Sequence, residues 1–223
     1  DLILNSGNTQ KKQLESAKLL NDIPIKVLGS VRCFEARVEN FVSQTKRQLT
    51  SNEKQYCLVA PEGIKSEIDI LFEFSLDCAK KMSEVVFIWR LHPLYSFNKL
   101  SYMNKIFKSL PSNIILSEKD LLDDFETCQW VLYRGSSVVI QAVVAGLKPI
   151  YLHRSGEIKI DPIYEIKKWK NEIETVKDAV KTLKKGAGNY EDYVQAKKYC
   201  LDMYTPLDYG LLIDTLRKMN SNE

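Results

Sequence analysis

Trp130-Val131-Leu132-Tyr133-Arg134-Gly135-Ser136-Ser137-Val138-Val139-Ile140-Gln141-Ala142-Val143-Val144-Ala145-Gly146-Leu147-Lys148-Pro149-Ile150-Tyr151-Leu152 contains a strand, a turn, a helix and a second strand in one uninterrupted run. The β-prone apolar residues 130–133 predict a strand, Arg134 to Ser137 a turn, and Val138 to Ala145 a helix that Gly146 stops. Pro149 to Leu152 predicts the next strand. Strands apolar at successive positions and joined by a helix are expected to be parallel and covered on both faces.

The same alternation continues upstream. Tyr56 to Ala60 predicts a strand, Pro61 to Lys65 a turn, and Ser66 to Met82 a helix that Ser66 can cap. Val85 to Trp89, a helix over Phe97 to Leu110, the strand Asn113 to Leu116 and a brief helix over Leu121 to Phe125 complete the series. The fold class is therefore α/β: a Rossmann-like parallel sheet flanked by helices, with right-handed crossovers. Beyond Leu152 the chain is polar as far as Lys170, and Pro149 to Leu152 reads as the last strand. Helices over Ile173 to Leu183, Tyr190 to Met203 and Tyr209 to Met219 then form a helical tail, interrupted at Lys185 to Asn189 and at Tyr204-Thr205-Pro206.

Ahead of the alternating series lie a strand at Leu2 to Leu4, a helix over Gln10 to Leu20, a strand at Ile25 to Leu28 closed by Gly29-Ser30, and an amphipathic helix over Phe34 to Leu49. Residues 1–50 read as the end of a preceding domain and its linker, and residues 51–223 as the main domain. A start without methionine, at Asp1-Leu2-Ile3-Leu4-Asn5, suggests a piece of a longer chain.

Composition narrows the function classes. The 44% hydrophobic and 27% charged residues are ordinary globular values, and 32 Lys plus Arg against 29 Asp plus Glu leave only +3. The basic residues are dispersed, so nucleic acid is not implied as a partner. Five widely spaced cysteines with no CxxC pair argue against a disulfide framework or a zinc clip and for a reduced, cytoplasmic setting. No apolar stretch reaches the ~20 residues of a membrane span.

Chemistry is expected at the carboxyl ends of the strands. Gly135, Ser136 and Ser137 lie between a strand end and a helix start, where free backbone N–H groups and two hydroxyls suit an anion such as phosphate; capping of the helix by Ser136 or Ser137 is the other reading. His92-Pro93 follows a strand directly, with Arg90 before it and Lys99 in reach, and His153-Arg154 follows another. Several cations are thus expected to converge on one rim. Glu62-Gly63 follows the first strand of the series, where the glycine permits close backbone approach and the carboxylate can accept from a hydroxyl. Lys167-Lys168-Trp169-Lys170 reads as a solvated face with Trp169 packed beneath it. GxGxxG, Walker, HExxH and GxSxG motifs are missing, which removes the main support for dinucleotide, P-loop, zincin and hydrolase readings.

These residues resemble the C-terminal, donor-binding domain of GT-B glycosyltransferases, above all bacterial surface-polysaccharide transferases with an HP motif and a serine-containing helix start. The resemblance covers Tyr56 to Leu152 and rests on His92-Pro93 and on Gly135 to Ile150, a Gly/Ser turn and a helix followed by Gly146-Leu147-Lys148-Pro149-Ile150. Leu2 to Leu4, Ile25 to Gly29 and Ser30-Val31-Arg32 resemble the last strand of the N-terminal domain and its crossover.

The resemblance implies donor-phosphate contacts from His92, Ser136 and Ser137 and a place for Glu62-Gly63 beside the phosphate or acceptor channel. Gln141 stands where many members place a ribose-gripping Glu. It further implies a metal-independent glycosyltransferase with no cofactor, a CMP-, CDP- or UDP-linked donor, a saccharide or lipid-linked acceptor, and peripheral association with the inner membrane face. The catalytic base is expected from the N-terminal domain, so this chain is expected to bind donor without transferring it. A UDP-sugar 2-epimerase and a non-catalytic interaction domain of the same fold are the competing readings, and a flavodoxin-like domain is a third that lacks its acidic cluster or Gly-rich first turn.

Overall fold

The computed structural model describes residues 1–18, 20, 22–33, 54–185 and 188–220. The helix expected over 34–49 lies outside the described residues, as do two residues of the turn expected at 185–189. The chain begins with β1 (Ile3–Asn5), α1 (Asn8–Ser16) and β2 (Ile25–Val27), and the two strands pair in parallel. After residue 54 come β3 (Gln55–Val59), α2 (Lys65–Lys81), β4 (Val85–Trp89), α3 (Phe97–Met103) and β5 (Ile114–Leu116). They are followed by α4 (Leu121–Thr127), β6 (Trp130–Tyr133), α5 (Val138–Val144), β7 (Lys148–Leu152) and β8 (Asn171–Ile173). The tail is α6 (Val176–Lys184), α7 (Tyr190–Met203) and α8 (Tyr209–Asn220). Among the described residues no helix is long and apolar enough to cross a membrane.

β3 to β8 form one all-parallel sheet in the order β5-β4-β3-β6-β7-β8. Because side chains alternate across a strand, each strand feeds two cores. Leu58, Ile88, Val131, Tyr133 and Tyr151 pack with residues of α4, α5 and α7; Val59, Phe87, Trp89, Leu132 and Ile150 pack with residues of α2, α3 and α6. Every residue of β4 and β6 is buried, which is why both read as continuous apolar runs. Trp89 stacks on Phe72 of α2 with ring centroids 4.2 Å apart, and Phe107 meets both edge-on.

Four features differ from the sequence reading. The helix expected over 97–110 is two pieces: the Asn104 side chain accepts from Ile106 N and opens a separate 3₁₀ turn over Lys105–Lys108. Ser66 does not cap α2, because the helix begins one residue earlier, with Ile64 in the capping position. The sheet does not end at Leu152, since β8 adds a strand beside β7. Asn-Glu-Ile has no strand signature, and an edge strand needs only backbone pairing and, here, the single buried Ile173.

The fourth difference is Lys170. Trp169 packs inward as expected, its Nε1 donating to Leu147 O at 3.1 Å, but Lys170 is not on a solvated face. Its side chain is 8% exposed and pairs with Asp161, itself 3% exposed. Asp161 also accepts from Tyr133 Oη at 2.8 Å and Ile163 N at 3.0 Å, and Lys170 donates to Ile163 O at 3.1 Å. A buried ammonium is tolerable only with such partners, and this set ties the irregular chain after β7 to the last residue of β6.

The small β1–β2 sheet is seated on the residues following α7. Thr205 N donates to Ser6 O, Ser30 N to Thr205 O and Asp208 N to Leu28 O, at 3.0, 2.8 and 2.8 Å. Gly29 holds φ +85°, and a Cβ there would lie 1.9 Å from Pro206 O, so both conformation and space require glycine.

Candidate functional site

The strand order brings the carboxyl ends of β4, β3 and β6 side by side, with Val59 in register with both Trp89 and Leu132. From β3 the chain builds outward to β4 and β5 on one side, and from β6 to β7 and β8 on the other. The crossovers therefore diverge at the β3–β6 boundary and leave a crevice beyond the carboxyl ends, the position where open α/β sheets take ligands.

That crevice is a cavity of about 430 Å³. Pro61, Glu62 and Gly63 line it from the end of β3, Arg90, His92 and Pro93 from the end of β4, and Gly135, Ser136 and Ser137 from the end of β6. Gln141 of α5 and Arg32, just after the small sheet, complete the wall. All nine residues singled out in the sequence as donor-binding candidates thus lie on one cavity. Arg32 was missed as a site residue; its only signal was its place in Ser30-Val31-Arg32, directly after the Gly29 that closes β2.

The glycines let side chains press onto the backbone. A Cβ on Gly63 would lie 2.9 Å from the His92 ring, and one on Gly135 would lie 2.7 Å from the Glu62 carboxylate. His92 Nδ1 accepts from Leu94 N at 3.3 Å, which leaves Nε2 as the ring nitrogen that donates. The Glu62 carboxyl is held above the usual range, chiefly by burial, next by the nearby Glu67, with Arg134 pulling the other way.

The cations are arranged differently from the expectation of a basic rim. Arg90 Nη1 donates to Asp124 Oδ2 at 2.8 Å and to Lys119 O at 2.8 Å, and the buried Asp124 also accepts from Ser117 Oγ at 2.7 Å. Arg134 is buried and paired with Glu67 and Glu157, beneath the Gly135 turn. His153 Nε2 lies 3.5 Å from Glu174, Arg154 Nη1 lies 2.9 Å from Glu157, and neither His153, Arg154 nor Lys99 lines the cavity. Carboxylates have taken up Arg90, Arg134 and Arg154, and for the first two they come from distant parts of the sequence.

Ser137 occupies the capping position of α5 but makes no side-chain capping bond; its Oγ accepts from Arg32 Nη1 at 3.1 Å. Gln141 Nε2 donates to the Arg32 carbonyl at 3.3 Å. Ser136 is buried at the foot of the cavity. The first N–H groups of a helix have no intrahelical partner, so the chain from Ser136 to Val138 presents donors here beside the two hydroxyls.

The cysteines contribute no chemistry to this site. Cys57, Cys78, Cys128 and Cys200 are buried free thiols, none lines the cavity, and burial raises all four, Cys78 to about 12.

No protein-family model matches the sequence, and no curated protein matches it. Solved structures do match. TarM aligns over 91% of this chain and 40% of its own at 15% identity and a TM-score of 0.55. The wall teichoic acid polymerase TagF aligns over 98% of this chain and 56% of its own, at 15% identity and a TM-score of 0.52. MurG of Acinetobacter baumannii aligns over 97% and 66%, at 12% and 0.52. The chain thus spans about half the length of the structures it resembles. At these identities the likeness shows the fold, and the six-stranded α/β fold of this chain is that of the GT-B glycosyltransferases it matches.

Proposed function

We propose that this chain is the nucleotide-sugar-binding part of a metal-independent GT-B glycosyltransferase that builds bacterial cell-surface polysaccharide, using a CMP-, CDP- or UDP-linked donor. The observation that carries this reading is the convergence of three strand-end segments on one cavity at the switch point of the sheet, two of them, after β4 and β6, bringing side-chain donors for an anion. Resemblance in fold to a wall teichoic acid polymerase supports the assignment to surface polymers. Residues 1–50 belong, on this reading, to the end of a preceding domain and its linker, and the protein works at the inner face of the membrane on a saccharide or lipid-linked acceptor.

In glycosyl transfer, charge develops on the departing phosphate, and donors fixed before the reaction stabilise it. His92 Nε2 and the Ser136 and Ser137 hydroxyls serve as those donors. No group at the cavity is assigned as the acceptor's base, so the isolated chain binds donor without transferring it; sugar transfer by the 223-residue chain alone would overturn that part of the proposal. Arg90, paired with Asp124, sets the floor of the site and adds little net charge.

Calorimetric titration with CMP, CDP, UMP, UDP and GDP tests the reading. Saturable binding is expected, and His92→Ala is expected to weaken it by about 10-fold or more, the loss of one hydrogen bond to a charged group. Failure of every nucleotide to bind would sink the proposal and favour a non-catalytic interaction domain.

Glu62 makes the binding pH-dependent. An incoming phosphate raises the Glu62 carboxyl further, so binding takes up a proton and affinity falls as pH rises through the Glu62 range. The ratio of wild-type to Glu62→Gln affinity cancels titration of the ligand; it is expected to fall with rising pH, and a flat ratio would refute the role. Burial raises this carboxyl in the folded protein, so its ionised form disfavours folding above the ordinary carboxylate range. Glu62→Gln is therefore expected to melt no lower than wild type at neutral pH.

A further inference from the structure

We propose that Arg32 supplies the positive charge that holds the diphosphate of the ligand in this cavity, and that ligand binding thereby fastens the connection after β2 onto α5. The inference rests on the nucleotide reading above and deepens it. Among the described residues, the charges at the cavity leave this part to Arg32. Arg90 is met by Asp124, His92 Nδ1 is taken up by Leu94 N, and Glu62 bears a carboxyl that opposes any phosphate. The Arg32 guanidinium meets a hydroxyl, Ser137 Oγ at 3.1 Å, whereas Arg90, also on the cavity wall, meets a carboxylate.

The backbone of Arg32 is fixed while its head group is exposed. Arg32 N donates to Ser30 Oγ at 3.1 Å, Cys33 N donates to Ser30 O at 3.1 Å, and the Arg32 carbonyl accepts from Gln141 at 3.3 Å. Ser30 is in turn held by Thr205 O. The residue is thus positioned from both sides, and its guanidinium keeps further N–H donors beyond the one given to Ser137. A planar fork held this way suits two phosphate oxygens, which an ammonium point charge matches less well. Gln141, which replaces the ribose-gripping carboxylate expected by resemblance, here acts on the connection instead.

The test compares Arg32→Ala, Arg32→Lys and His92→Ala with the wild-type 223-residue chain, titrated with cytidine, CMP, CDP and UDP. Arg32→Ala is expected to weaken diphosphate binding by about 10-fold or more, to leave nucleoside binding unchanged, and to flatten its salt dependence. Arg32→Lys is expected to fall between the two. Hydrogen exchange adds a readout for the fastening: CDP is expected to slow exchange at the amides of Ser30, Arg32 and Cys33 in wild type and to lose that effect in Arg32→Ala. Diphosphate affinity unchanged in Arg32→Ala, with His92→Ala impaired, overturns this inference and leaves the nucleotide reading standing. Ligand protection of those amides persisting in Arg32→Ala overturns the fastening, and absence of nucleotide binding by the wild-type chain overturns both proposals.

Discussion

Lys170→Ala is expected to lower the stability of the fold by about 3–5 kcal/mol, the usual cost of stranding one member of a buried ion pair. Without the ammonium, Asp161 keeps Tyr133 Oη and Ile163 N as donors but has no countercharge, and its side chain is only 3% exposed. The loss should also reach the site. Tyr133 is the last residue of β6 and leads directly into Arg134 and the Gly135-Ser136-Ser137 turn, so loosening Asp161 loosens the support of the cavity floor. Urea denaturation measures the effect as a lower midpoint at unchanged slope. The double change Lys170→Met with Asp161→Asn removes both charges and is expected to recover most of the loss. A single-variant loss under about 1 kcal/mol would show that the pair is not a buried countercharge.

Gly29→Ala is expected to cost about 2–4 kcal/mol, through two effects that add. A side chain at φ +85° is strained, and its Cβ falls 1.9 Å from Pro206 O, a backbone atom that cannot rotate away. The hydrogen bonds beside it, Ser30 N to Thr205 O and Asp208 N to Leu28 O, must then lengthen or break. Arg32 follows three residues later, so the same variant is expected to weaken diphosphate binding while leaving the His92 side of the cavity intact. Thermal unfolding and CDP titration measure the two consequences. Gly29→Asn separates the causes, because asparagine tolerates positive φ but still carries a Cβ. Equal damage from Ala and Asn assigns the cost to the collision, and a milder Asn variant assigns part of it to strain.

The central sheet was legible because its strands are buried on both faces, so β4, β6 and the helices beside them announce themselves as continuous apolar runs and periodic patterns. The limits β4 and β6 were expected to have, Val85 to Trp89 and Trp130 to Tyr133, are those observed. β8 was not legible: an edge strand built of Asn171, Glu172 and Ile173 is held by the backbone of β7 and carries almost no side-chain signal. The break at Asn104 was equally hidden, since it depends on a side chain that caps a second turn where the apolar pattern continues.

The location of the candidate site was written in the order of residues, because any segment following a strand of a parallel sheet must emerge on the same edge. Glu62-Gly63, Arg90, His92-Pro93 and Gly135 to Ser137 could therefore be placed together without coordinates. The electrostatics of that site was decided by tertiary structure alone. Asp124 is 34 positions from Arg90, Glu67 is 67 from Arg134, and Ser137 is 105 from Arg32. Hydrophobic periodicity is a local pattern that a chain displays along its length. Pairing of charges is a relation between distant points, and only the folded backbone determines which carboxylate reaches which cation and which arginine is left facing the cavity.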